Sequence, residues 1–387
     1  MIKRIKVNNF KSLVDFELPL APLTCLVGLN GAGKSTVLQA IDFLAQLMHG
    51  DLKGWLNERQ WQAADINSRL SNRSNVSFSL LLELPGGEEL AWQGSFNRQS
   101  LRCTSEKISL GRQLLLRVAD GECHLKAPGN AGKEQFPVVF EYEGSILSQL
   151  KGNQLNPLLT AFREEVKKVR SLDLLSPELL RLKTRAAEGH LGLGGQRLSA
   201  YLHELGAQGQ SDLRQRLAPV YQQLQRIETR SLKSGWKQLE IHEQFGGQTL
   251  ITPARHINDG LLRLMAVLSQ LASDEHFLLF DEIENGINPE LVEFLVDALV
   301  NSEHQILVTT HSPLILNYLD DETAKAGVIY LYKNAQGSTS AIPLFSIPSM
   351  QEKLTVLGPG EAFVDTELQQ LNQEILRLAE EGSLPCA

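Results

Sequence analysis

Four cysteines among 387 residues (Cys25, Cys103, Cys123 and Cys386) are too few and too scattered to staple a fold. None stands in a CxxC pair, so neither a zinc site nor a disulfide framework is expected. Long apolar runs are missing as well. No stretch approaches the roughly 20 residues that a bilayer-spanning helix needs. The opening Met-Ile-Lys-Arg-Ile-Lys has no apolar core of the signal-peptide kind. A cytoplasmic chain without a membrane partner is therefore expected. Repeats and low-complexity tracts are also absent, which sets aside solenoids and linkers. Finally, the chain has no excess of positive charge. Its formal net charge is -8, which argues against wholesale coating of nucleic acid.

What is present is an ordinary globular composition, 42% hydrophobic and 21% charged, on a chain long enough for one large or two ordinary domains. The charge is uneven. Residues 161–237 carry 14 Lys/Arg against 8 Asp/Glu, a net of +6 on an otherwise acidic body. Such a segment is either a footprint for nucleic acid or a solvated helical surface. Short apolar strands are expected at the N-terminus, at residues 15–20 and at LTCLV, residues 23–27. A meander of strands follows over residues 74–143, punctuated by turns such as Pro85-Gly86-Gly87. Apolar spacing then predicts helices over 161–187, 196–205 and 211–227. From Leu239 an alternating strand–helix pattern resumes.

Three motifs carry chemistry. GLNGAGKS, residues 28–35, fits G-x-x-x-x-G-K-[ST] and lies between an apolar strand and an amphipathic helix. Its glycines let backbone N–H groups turn toward phosphates, Asn30, Gly31, Ala32 and Gly33 forming the loop. Lys34 is suited to the β- and γ-phosphates, Ser35 to Mg²⁺, and Thr36 stands behind it. The helix that starts there directs its positive end at the anion. FLLFDEIENG, residues 277–286, is an apolar strand ending in acids. Asp281 is suited to hold Mg²⁺ and Glu282 to act as general base on water. ILVTTHSP, residues 306–313, is a further strand ending near His311, an imidazole placed to meet a γ-phosphate. Ligands of open α/β sheets gather at the carboxyl ends of strands, where all three motifs end.

In this order the motifs resemble the head of ATP-binding-cassette ATPases. NNFKS, residues 8–12, ahead of the phosphate loop narrows the resemblance to the RecF/OLD-like AAA-type ATPases with an SMC-type head, found in bacterial DNA repair and phage defence. The resemblance covers most of residues 1–332 and implies an α/β fold: an ABC-ATPase-type P-loop head with an antiparallel β subregion and a helical insert. It implies ATP and Mg²⁺ as ligands, and Lys11 and Ser12 as further nucleotide contacts. It also gives a role to Asn258-Asp259-Gly260. In such heads this signature turn, typically Ser-Asp-Gly or Ser-Gly-Gly, caps the ATP of a second copy, so a homodimer closed through an ATP sandwich is implied. Asn258 replaces the usual Ser, and Asn288 the usual His of the following loop. The glutamine loop that couples Mg²⁺ to the other lobe is assigned only to candidates, Gln149 and Gln135.

The expected organisation is a first part of the head over residues 1–148 and a net-basic helical insert over 149–237. The second part of the head covers 238–345, and a C-terminal tail covers 346–387. The tail either docks a partner or folds back. It is too short for a Toprim nuclease domain, and the insert is too short for an SMC-like arm. Two functional classes stay open. One is an ATPase acting on DNA, with contact through the basic insert, or on a separately encoded effector or nuclease. The other is an ATP-binding scaffold that holds such an effector with little turnover and no DNA contact.

Overall fold

The structure is a computed structural model in which residues 1–126, 133–172 and 175–381 are described; Cys386 and the end of the tail lie outside them. Its strands are, in chain order, β1 (Ile2–Asn8), β2 (Phe16–Pro19), β3 (Leu23–Val27), β4 (Asn75–Glu83), β5 (Glu89–Asn97), β6 (Arg102–Leu110), β7 (Gln113–Ala119), β8 (Glu122–Lys126), β9 (Lys133–Pro137), β10 (Val169–Leu172), β11 (Leu224–Ser231), β12 (Lys237–Phe245), β13 (Gln248–Pro253), β14 (Phe277–Phe280), β15 (Gln305–Thr309), β16 (Val328–Lys333) and β17 (Thr339–Pro343). They form three sheets, ordered β2-β1-β4-β5-β6-β7-β8-β9, β10-β14-β15-β3-β16-β17 and β11-β12-β13.

The second sheet organises the molecule. LTCLV, FLLF and QILVT are buried at every position, as strands of a parallel sheet covered on both faces should be. β14, β15 and β3 are adjacent, parallel and in register: Phe277 faces Gln305, and Ile306 faces Leu23. Alternate residues feed two cores. Cys25, Val27, Leu278, Phe280 and Val308 join one cluster with the helix Asp259–Gln270. Leu26, Leu279 and Leu307 join the other, with the helix Lys34–His49 and the inner face of the antiparallel sheet. One side chain ties the two sheets at the amino ends of the parallel strands. Buried Gln305 accepts from Ile2 N (2.9 Å) and donates to the carbonyls of Ile2 (2.7 Å) and Ala21 (3.2 Å).

Residues 149–237 differ from the helical insert read in the sequence. The helix Pro157–Lys167 ends where β10 begins, and β10 pairs in parallel with β14 inside the head sheet. The expected helix over 211–227 stops at Leu217, ahead of Pro219. Leu224 and Ile227 then lie in β11, antiparallel to β12. A register shift between Leu224 and Arg226 lets residues three apart face the same core. That bulge reproduces helical spacing within a strand, so the period alone was misleading. The tail folds back on the head. Leu371 and Ile375 are buried, and the Tyr330 hydroxyl donates to Asn372 Oδ1 at 2.9 Å. At Gly360 any Cβ would stand 2.5 Å from the Pro313 carbonyl.

The antiparallel sheet buries one carboxyl, Glu106, 2% exposed. It accepts from Trp92 Nε1 (3.2 Å) and Ile146 N (2.8 Å). Burial pushes the carboxyl up from the ordinary 4.5 to about 7, against the opposing pull of hydrogen bonds from Ser145, Ile146 and Trp92. A folded state that holds this proton more tightly than the unfolded chain is favoured below the unfolded value and loses that advantage as pH rises through the folded one. Thermal unfolding should therefore shift down by a few degrees between about pH 5 and about pH 8 through this group. Glu106→Gln, which cannot ionise, should show a flatter pH profile in differential scanning calorimetry.

Candidate nucleotide site

The register of β3, β14 and β15 brings their carboxyl ends side by side, and a cavity of about 510 Å³ opens there. It is lined chiefly by the ends of these three strands. Asn30, Gly31, Gly33, Lys34, Ser35 and Thr36 come from the loop after β3, Asp281 and Glu282 from the end of β14, and His311 from beyond β15. Ser12 and Lys333 complete it.

The loop is shaped by its glycines. Gly28, Gly31 and Gly33 all have positive φ (143°, 77° and 110°). A Cβ on Gly33 would stand 2.3 Å from Thr339 Oγ1, and one on Gly28 would stand 2.3 Å from the Leu331 carbonyl. A side chain at either position would strike the hairpin beneath the loop, so the chain holds glycine there. Lys34, at the first position of the helix Lys34–His49, curls back over its own loop and donates to Gly28 O (2.8 Å) and Leu29 O (3.3 Å). Burial lowers its pKa, and Asp281, Glu282 and Glu284 oppose the shift. Thr339 underpins the loop. Its hydroxyl donates to Ala32 O (2.7 Å), meets Ser12 Oγ (2.8 Å) and accepts from Lys333 Nζ (2.9 Å).

The acidic end of β14 is held by β15. The Thr309 hydroxyl donates to Asp281 Oδ1 and accepts from Glu282 N (2.8 Å). Glu282 adopts φ 45°, a left-handed conformation uncommon for a residue with a Cβ. Its carboxylate stays half exposed, with Oε1 3.9 Å from His311 Nε2. Glu284 Oε1 accepts from the backbone N–H groups of His311 (3.0 Å) and Ser312 (3.1 Å), which fixes the strand end that carries the imidazole.

Several residues singled out in the sequence stand elsewhere. Lys11 does not line the cavity. Its ammonium lies 3.1 Å from the centre of the Trp61 ring and donates to Gln39 Oε1 at 2.8 Å. Ala32 is buried beneath the loop. The signature turn is on the far side of the acidic loop. Asn258 caps the helix Asp259–Gln270 by accepting from Leu261 N (2.8 Å), Asp259 pairs with Arg181, and a Cβ on Gly260 would lie 3.1 Å from Gly286 O. Among the described residues no glutamine lines the cavity. Gln149 stands by Gly50, at the opposite end of the 16-residue helix that begins at Lys34, roughly 24 Å away by helix rise. Gln135 pairs with Glu122 at the edge of the antiparallel sheet. Lys333, Thr339, Glu284 and Thr309 escaped the sequence reading. The first two sit on a late hairpin with no motif around it. The last two lie inside motifs, where a third acid and a strand threonine carry no separate signal.

The residues fit a nucleoside triphosphate with Mg²⁺. The cavity combines a glycine-rich loop at a helix start, a buried ammonium, the hydroxyl-bearing Ser12, Ser35 and Thr36, and the anchored carboxylate of Asp281 beside Glu282.

Comparison with known proteins agrees with the architecture. Residues 1–91 match the family described as "AAA ATPase domain", and residues 145–317 match "AAA domain, putative AbiEii toxin, Type IV TA system". An OLD nuclease of Thermus scotoductus is 38% identical over 104 residues, which is 27% of this chain and 18% of that protein. The chain thus spans under a fifth of that relative's length. Among solved structures, an SMC head bound to the C-terminal winged-helix domain of ScpA superposes with a TM-score of 0.55 at 13% identity, over 88% of this chain and 96% of that one. An SMC head with an extended coiled coil from Pyrococcus furiosus, bound to the C-terminal domain of ScpA, gives 0.51 at 13% identity, over 92% and 99%. At such identity the likeness concerns the fold, an ABC-ATPase-type P-loop head.

Removing Glu284 should loosen the strand end. Glu284→Ala takes the acceptor from the His311 N–H and leaves the Ser312 N–H only Thr310 Oγ1, at a cost of about 1–3 kcal/mol in denaturant unfolding. Glu284→Gln keeps one oxygen and should lose less.

Proposed function

We propose, on the premise that this chain belongs to the RecF/OLD-like AAA-type ATPases, that it is an Mg²⁺-dependent ATPase whose copies close in pairs around ATP. In this reading, binding and hydrolysis gate an action on DNA or on a separately encoded effector, in genome maintenance or anti-phage defence. The observation that carries it is the convergence of Lys34, Ser35, Asp281, Glu282 and His311 on one cavity. The loop N–H groups and Lys34 bind the phosphates. Ser35 and Asp281 would hold Mg²⁺, which when bound offsets charge between the β- and γ-phosphates. Glu282 takes the proton of the attacking water, and His311 donates toward the γ-phosphate. The signature turn does not line its own copy's cavity, which supports a second copy supplying Asn258, Asp259 and Gly260. Among the described residues no helix is long and apolar enough to cross a membrane.

A second reading, the ATP-binding scaffold without DNA contact, draws on the basic segment. Arg181 is occupied by Asp259 and Ile257 O, and Arg185 lies over the Trp236 ring.

Two measurements test these readings. Glu282→Gln should cut ATP turnover roughly 100-fold or more while ATP binding persists and dimers accumulate in light scattering. Wild-type turnover in that variant would remove Glu282 as the base. DNA affinity that falls steeply with salt, and falls further when Lys183 and Arg185 are neutralised, favours the DNA-acting form. Absence of DNA binding with ATP present favours the scaffold.

A further inference from the structure

We infer that Arg263 is a positioning residue that sets the backbone of Glu282 and links a copy's signature helix to that copy's own hydrolytic centre. The inference rests on the ATPase reading above.

Arg263 lies on the helix Asp259–Gln270, whose other residues from Gly260 onward are also buried. Unlike the leucines around it, it sends a cation out of the helix toward the end of β14. Nη2 donates to the carbonyls of Glu282 (2.9 Å) and Asp281 (3.2 Å), and Nη1 lies 3.5 Å from the Leu175 carbonyl. The residue is 4% exposed, and Nε has no acceptor among the described residues. A guanidinium buried on carbonyls alone is a costly way to fill a core, and a leucine or methionine would pack there more cheaply. Its donors are what distinguish it.

What those donors grip is the left-handed peptide of Glu282. Thr309 Oγ1 holds its N–H and Arg263 holds its carbonyl, so the carboxylate is aimed from both sides. The same helix begins at Asn258-Asp259-Gly260, pinned by Arg181. A shift of the signature turn therefore reaches the Glu282 carbonyl through one rigid helix and one side chain. Contact between that turn and a second copy's nucleotide would bear on hydrolysis in the copy that supplies the turn.

The test compares Arg263→Met and Arg263→Lys with Glu282→Gln in steady-state ATP hydrolysis, binding of a fluorescent ATP analogue and thermal unfolding. Arg263→Met should lower kcat by roughly 100-fold, the scale set by a misplaced catalytic group. KM and analogue affinity should stay within about twofold. Arg263→Lys, which keeps a donor but is shorter and lacks the planar guanidinium that also approaches the Leu175 carbonyl, should fall between wild type and Arg263→Met. If Arg263→Met does not fold, Arg263→Lys decides: a lower kcat at unchanged KM supports the role. Wild-type kcat in Arg263→Lys, or kcat and analogue affinity falling together, overturns it. Absence of ATP turnover in the unmutated protein would instead overturn the ATPase reading itself.

Discussion

The candidate site depends on one constraint, the in-register parallel pairing of β3, β14 and β15. Each strand is buried on both faces, so none can slip by a residue without driving its side chains into the wrong core. That register sets Gly28, Asp281 and Thr309 at neighbouring strand ends. Thr309 then converts alignment into geometry, since its one hydroxyl touches both the Asp281 carboxylate and the Glu282 N–H. Chemistry spread over nearly 300 residues of sequence becomes local because three short apolar runs accept only one stacking.

Around that core, charge is arranged in layers. Lys34 and Arg263 are both buried cations, on either side of the acidic strand end, and both are held by backbone carbonyls. For each, burial lowers the pKa while Asp281, Glu282 and Glu284 push the other way. Two cations thus share one acidic cluster, but only Lys34 lines the cavity.

Much of this was legible in the sequence because the relevant signals are local. A glycine-rich loop between a strand and a helix, and strands ending in acids or near a histidine, need no tertiary information. The antiparallel meander was legible for the same reason. The misreadings came where local period and tertiary pairing disagree. β10 continues directly from a helix and is a strand only because β14 offers an edge. β11 mimics helical spacing through its bulge. Lys11 stands one residue from Ser12, yet only Ser12 reaches the cavity, because Trp61 and Gln39, brought close by the fold, capture the ammonium. Lys333 and Thr339 gain significance only when β17 is laid beside the loop, a placement no motif announces.

The Gln305 side chain gives the head a mechanical character. It joins the antiparallel sheet to the parallel one at the end remote from the cavity, much as the spring of a clothes-peg holds two arms at one end. Ser12 arrives with the first arm, and Asp281 and His311 with the second. Beside the cavity the Ser12 hydroxyl also meets Thr339 of the second arm, so the two arms are tied at both ends. Large travel between the arms would break buried hydrogen bonds at the joint, so this body resists opening about its own sheets.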